Sequence, residues 1–266
     1  MKNLILVVCV AIVVLGCVSG CGSAASASSV ESVTMQGGQW EYVVTPENGG
    51  ITMYFGTNLP MTNADFNASN VQIFQPSQIS STQNIAPIVC AGYSLNGAIG
   101  GTKIDGQIAT PTGKFASFSG QLSSNGRAIS DGKYSGQNCA VASTATIKGA
   151  LTGYTVAPLN GTFTGRLTSS ANGSSVMTVA FTQNSDFSVT IAGTFVENGV
   201  TTSFTNTQVP DSNLIEGASV FFGADTVNVN GKSQYSGMGH LNPTATQMDL
   251  YFAGPNDTII GTLTKQ

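Results

Sequence analysis

The sequence predicts an all-β body built as two similar antiparallel up-and-down meander barrels. Three observations lead there. Short runs of β-branched and aromatic residues recur along the chain from Gln39 onward. Clusters of Gly, Asn, Asp and Pro separate them at roughly 8–12 residue intervals, the spacing of sandwiches and small barrels. No stretch of the body keeps a helical apolar period for three turns. One larger pseudo-symmetric β assembly or a sandwich would carry the same pattern.

The chain has 266 residues, enough for one large domain or two small ones. Charged residues make up 8 %, against roughly 25 % in an average globular chain. The polar share is carried by Ser, Thr, Asn, Gln and 32 Gly. The nine Lys and Arg are scattered. Nucleic-acid binding needs a concentrated positive field over phosphates, so that class is excluded.

The N-terminus differs from the body. Lys2 supplies a positive start, Leu4 to Leu15 is unbroken apolar sequence, and small residues follow. That is the layout of a secretory signal, and it is too short for a membrane span. Residues 22–38 are rich in Ser, Ala and Gly and lack any hydrophobic period. They read as a flexible tether of roughly 20–25 Å r.m.s..

The predicted strands then follow in order. Trp40–Val44 and Ile51–Phe55 flank a Pro46–Gly50 turn. Phe115–Leu122 leads through Asn125-Gly126 into Ile129–Tyr134. Ser188–Val196, Thr201–Thr207, Thr226–Val229 and Gln247–Phe252 read the same way. The join is expected at Val156–Leu159, where Pro158 interrupts the strand pattern. The organisation expected is a signal over 1–20, Cys21 and tether to 38, one β half over 39–156 and a second over 157–266.

An internal repeat supports two halves. Thr146-Ile147-Lys148-Gly149-Ala150-Leu151-Thr152 corresponds to Thr258-Ile259-Ile260-Gly261-Thr262-Leu263-Thr264. Tyr134-Ser135-Gly136 corresponds to Tyr235-Ser236-Gly237, and Asn48-Gly49-Gly50 with Met53 to Asn172-Gly173-Ser174 with Met177. Each half has room for roughly eight short strands, and a sheet of that size can close on itself.

Two resemblances bear on these residues. Val18-Ser19-Gly20-Cys21 resembles the lipobox of bacterial lipoproteins; Val14-Leu15-Gly16-Cys17 fits it less well because Leu15 is bulky. The resemblance implies a diacylglycerol on Cys21, with Cys17 the alternative, and acyl chains such as palmitate holding the chain to a membrane. Gly22, rather than Asp, follows the cysteine. In enteric bacteria that is similar to the pattern sorted to the outer membrane, so a lipid-anchored envelope location is expected. Gly37-Gly38-Gln39-Trp40 resembles the Gly-x-Trp start of lipocalins, in which the Trp closes one end of a barrel. A buried Trp opening any β domain would read the same way.

With Cys9 and Cys17 lost in the signal and Cys21 lipidated, Cys90 and Cys139 are left as one pair. In an oxidising compartment a disulfide is expected between them. It would close a loop of about 50 residues, worth roughly 4 kcal/mol in the chain-entropy model. Two thiols and a distant His are an incomplete metal set.

Candidate catalytic groupings are few. His240 is the single histidine, with Ser233, Ser236 and Asp249 close in sequence. A triad needs nucleophile, base and orienting acid gathered in space, and a surface or strand-end His is the simpler reading. Glu41 with Glu47, and Asp211 with Glu216, are acid pairs that could serve glycoside hydrolysis, but both sit at predicted loops, where solvated acids are the default. Asn63, Asp65, Asn67 and Ser69 alternate like the start of a calcium loop, but Phe74 stands where the bidentate Glu belongs. A plain polar loop is expected there. No cofactor, metal site or catalytic residue is predicted. The leading functional expectation is a non-enzymatic lipoprotein holding a small apolar or lipid-like ligand inside a barrel. A structural or adhesive surface module is the second reading, and a hydrolase the last.

Overall fold

A computed structural model describes residues 33–60, 65–75, 79–80, 83–84, 88–138, 146–171, 173–206, 213–229, 233–254 and 257–266. All regular elements among them are strands. The first half holds β1 (Gly38–Pro46), β2 (Met53–Leu59), β3 (Asp65–Gln75), β4 (Ile79–Ser80), β5 (Gln83–Asn84), β6 (Ile88–Gly100), β7 (Lys103–Thr110), β8 (Gly113–Leu122), β9 (Ala128–Gly136) and β10 (Ile147–Thr155). Eight of these close an antiparallel meander, in the order β1-β10-β9-β8-β7-β6-β3-β2. The two-residue strands β4 and β5 pair only with each other, in the connection between β3 and β6.

The second half runs β11 (Asn160–Ser169), β12 (Gly173–Gln183), β13 (Val189–Glu197), β14 (Val200–Asn206), β15 (Asn213–Glu216), β16 (Ser219–Val229), β17 (Ser233–Leu241), β18 (Gln247–Ala253) and β19 (Thr258–Lys265). Its sheet has nine strands, in the order β14-β13-β12-β11-β19-β18-β17-β16-β15. First and last strands pair in both halves, β1 with β10 and β11 with β19. The expected closure is therefore complete in the first half. The second curls but stays open, because β14 and β15 do not pair. One stitch crosses near the opening: the Ile215 N–H donates to the Phe187 carbonyl at 3.2 Å.

Two of the three repeat matches fall on equivalent strands. Gly149 and Gly261 sit in the last strand of their halves, and at each a Cβ would strike the backbone of the first strand, Thr45 O at 2.6 Å and Arg166 O at 2.6 Å. Leu151 and Leu263 follow and are buried. Met53 and Met177 lie in the second strands and enter the two cores. The third match is corrected. Tyr134-Ser135-Gly136 lies in β9, which is next to last, whereas Tyr235-Ser236-Gly237 lies in β17, one strand earlier. Turn-rich composition produced that likeness.

Inside the first barrel, alternation does what a two-residue period requires. In β7, Ile104 and Ile108 point in while Asp105 and Gln107 point out. The interior of an eight-stranded barrel is just wide enough for side chains. Large rings face bare backbone there. Phe66 lies opposite Gly97, and Phe118 opposite Gly106; a Cβ on those glycines would stand 1.9 Å and 2.3 Å from the ring tips. Trp40 stacks with Tyr42, Tyr42 meets Phe118, and Phe55 stacks on Tyr134. The apolar cavity expected for a ligand is thus occupied by the protein's own rings.

The tether expected over residues 21–38 is also corrected at its end. Val33 to Gln36 crosses one mouth of the barrel. The Val33 N–H donates to Gly101 O and the Gln36 N–H to Gly126 O, at the β6–β7 and β8–β9 turns. Met35 is buried in the first core, and Trp40 Nε1 donates to Gln36 O at 2.7 Å. Small-residue composition hid this, because one Met among glycines and serines carries no period. The fully buried Trp40 anchors this plug, so Trp40→Ala should cost about 3–5 kcal/mol. The urea midpoint of the variant measures it.

Candidate functional site

From Gln39 to Tyr42, strand β1 is buried on both faces. Trp40 and Tyr42 point into the first barrel, while Gln39 and Glu41 point outward and are nevertheless buried. What covers them is the second lobe. The tight turn Glu216-Gly217-Ala218 between β15 and β16 docks against β1 and β2. Gly56 and Gly217 make the approach possible. A Cβ on Gly56 would stand 2.2 Å from Glu216 O, and one on Gly217 2.4 Å from Trp40 O. Gly217 also has φ +60, a conformation that favours glycine.

Glu41 is the centre of this junction, with its side chain wholly buried. Oε2 accepts from the Ala218 N–H at 2.9 Å, and Oε1 lies 3.2 Å from His240 Nε2. The ring stacks on Phe74 and meets the edge of Tyr54. Around it, Gln39 Nε2 donates to Gly217 O, Gln183 Nε2 to Gln39 Oε1, and Asn58 Nδ2 to Ile215 O. A buried charge needs such pairing to be tolerated. This is a polar clamp between lobes.

Glu216 is the second acid here. Its Oε1 accepts from Asn70 Nδ2, while Oε2 is buried without a hydrogen-bond partner among the described residues. Burial raises its carboxyl from 4.5 to about 7; the side chains of Gln72 and Asn70 pull the other way. Burial also raises the Tyr54 hydroxyl, helped by the negative Glu41. An open cleft of about 390 Å³ lies beside the junction, with Asn70, Asp186, Phe187 and Glu216 on its walls.

The residues singled out in the sequence are distributed as follows. Cys17, Cys21, Asn63, Cys139 and Asp211 lie outside the described residues. Cys90 sits in β6 opposite Ile73. His240 is the last residue but one of β17, the strand-end place expected, and it belongs to the clamp. Asp249 lies opposite it in β18, yet its Oδ1 accepts from Thr262 Oγ1, so the acid that orients His240 is Glu41. Among the described residues, the hydrogen bond of His240 is to Glu41, and none joins it to Ser236. Glu47 stays exposed at its turn, apart from Glu41. The expected polar loop at Asp65, Asn67 and Ser69 is instead strand β3, where these residues alternate with buried Phe66 and Ala68. A two-residue period of ligand-type side chains is as much a strand signature as a calcium one. Sequence reading missed Gly56, which carries no motif, and met Gln39 only as the variable position of Gly-x-Trp.

Fold and junction together define a two-lobed all-β protein with a tightly docked inter-lobe contact. No family model matches the chain, and no curated protein does. Among solved structures, the chain is similar to the isotype 1 transferrin binding protein B of serogroup B Neisseria meningitidis, at 11 % identity over 88 % of this chain and 78 % of that one, with TM-score 0.28. It is also similar to a protein of unknown function of the DUF3598 family from Nostoc punctiforme, at 10 % identity over 86 % and 96 %, with TM-score 0.29. TM-scores at that level do not establish a common fold, and the architecture stands on the strand pairing alone.

Two outcomes are expected. Gly56→Ala should cost about 1–3 kcal/mol by overpacking the junction, and hydrogen exchange at the Ala218 amide should quicken. For Glu216, the folded protein holds a proton that the unfolded chain releases above its ordinary 4.5. Its contribution to stability should therefore fall as pH rises from 4.5 through about 7, and level off above. Thermal midpoints across that window should show this slope reduced in Glu216→Gln.

Proposed function

We propose that this chain is a membrane-anchored envelope lipoprotein that works without catalysis, through the outer surface of a rigid two-lobed β body. The role is structural or adhesive. The observation that carries this reading is the filled first barrel, whose rings leave the interior to the protein itself. A module with a packed interior meets other molecules on its outside. The clamp at Glu41 adds rigidity, which suits a scaffold. A sparse set of charges spread over neutral polar strand faces fits the same use.

In this reading the signal over 1–20 is removed, Cys21 carries the lipid, and Gly22 directs the chain to the outer membrane. A Cys90–Cys139 disulfide ties β6 to the chain just beyond β9. The apolar ligand gives way to a surface partner. No nucleic acid, metal or cofactor is required.

Native mass spectrometry of the full chain, purified in detergent from its own envelope, tests this. The expected mass is that of the acylated polypeptide alone. A co-purifying lipid-like ligand that survives detergent exchange would overturn the surface reading. Cys21→Ala should lose metabolic palmitate label and move to the soluble fraction; a variant still labelled and membrane-bound would overturn the anchor.

A further inference from the structure

Asn-Gly occurs seven times in the chain. Asparagine is thermolabile, and in this pair glycine has no Cβ to shield the nitrogen that follows it. Two of the asparagines, Asn172 and Asn230, lie outside the described residues. Among the other five, the fold holds four and leaves one exposed and unpinned. We propose that Asn198 is a site of spontaneous deamidation, and that its conversion unfastens the edge strand β14 of the second lobe. This chemistry is separate from the surface role proposed above.

The reaction needs only water. The Gly199 nitrogen gives its proton to hydroxide, and its electron pair attacks Asn198 Cγ. A C–N bond forms and closes a succinimide ring. The bond from Cγ to the side-chain nitrogen breaks, and that nitrogen leaves as ammonia with a proton taken from water. A second water adds to either ring carbonyl and reopens the ring. One opening gives an aspartyl residue. The other gives isoaspartate, in which the main chain runs through the former side chain. The net change is amide plus water to carboxylate plus ammonium.

Geometry decides which pair can react, because the glycine N–H and the asparagine amide must both be uncommitted and wet. Asn198 and Gly199 are the tip of the β13–β14 hairpin, where Glu197 pairs with Val200. Their φ values of +49° and +77° belong to a two-residue type I′ turn. Both residues are exposed. No hydrogen bond among the described residues engages the Asn198 side chain or the Gly199 N–H. The other pairs are restrained. The Gly49 N–H donates to Pro46 O at 3.3 Å, and the Gly126 N–H to Ser123 O at 2.8 Å. Asn125 Oδ1 also accepts from Ser123 Oγ and the Arg127 N–H, while Gly126 is buried under Thr34. Gly97 is paired on both sides, with Phe66 and Gly106. Asn160 Oδ1 accepts from the Gln183 N–H at 3.0 Å.

The place of this hairpin gives the change its effect. A two-residue loop sets the register of the strands it joins. Isoaspartate adds one carbon to the main chain inside that loop, so Glu197 and Val200 no longer meet across it. The new carboxylate also stands beside Glu197, and like charges repel. β14 is the end strand of its sheet and has β13 as its single strand neighbour. A register fault at the tip therefore runs along Val200–Asn206 without a second strand to oppose it.

Peptide mapping by mass spectrometry tests this on the full chain, aged in detergent at alkaline pH before digestion. The peptide holding Asn198 should turn from amide to acid roughly tenfold faster than those holding Asn48, Asn96, Asn125 and Asn160, a factor that about 1.4 kcal/mol of restraint supplies. Electron-transfer fragmentation should find isoaspartate at that position. Hydrogen exchange should quicken at the β14 amides of the aged chain and stay unchanged in β12. Asn198→Gly keeps a type I′ sequence but has no side chain to cyclise. Aged alike, it should keep β14 protected. Equal conversion at the five positions, or conversion of Asn198 in urea but not in native buffer, overturns the site. Unchanged exchange in the converted chain, or equal quickening in aged Asn198→Gly, overturns the unfastening of β14.

Discussion

The structure turns on one buried carboxylate. Glu41 is drawn out of water on the outer face of β1 and must find its partners within the protein. It takes one from the Ala218 amide and one from His240, both on the other lobe. Neither lobe alone can satisfy it. That requirement makes the docking of β15–β16 on β1–β2 specific in register as well as favourable in area. Gly56 and Gly217 follow from it, because the carboxylate is reached only if the two backbones nearly touch.

The same strand links this clamp to the first core. One residue out of phase with Gln39 and Glu41, Trp40 and Tyr42 fill the barrel on the opposite face. A shift of β1 by one residue would put the carboxylate inside the barrel and Trp40 against the second lobe. The plug at Met35 pins the register further, through the bond from the indole to Gln36. Interior packing and lobe docking are therefore two consequences of one strand. That coupling explains how a chain rich in Gly and poor in charge specifies a single arrangement.

Legibility differed between fold and site for a physical reason. The all-β class was readable, because alternation in segments such as Lys103–Thr110 is local and survives in one dimension. The closing strands were readable too, since Gly149 and Gly261 recur in like surroundings. The open seam between β14 and β15 was not, because closure depends on strand count and curl rather than on composition. Asp65, Asn67 and Ser69 show the same limit: their spacing suits ligands or a strand, and only burial of Phe66 and Ala68 decides between them.

The sequence by itself determined the strand periods, the two-half plan and the sparse charge of the chain. Tertiary structure alone decided that the first barrel is full, that Val33 to Gln36 plugs its mouth, and that His240 meets an acid 199 residues away. Periodicity is a property of neighbours along the chain. Pairing across lobes and across strands is set by register and docking, which no single segment encodes.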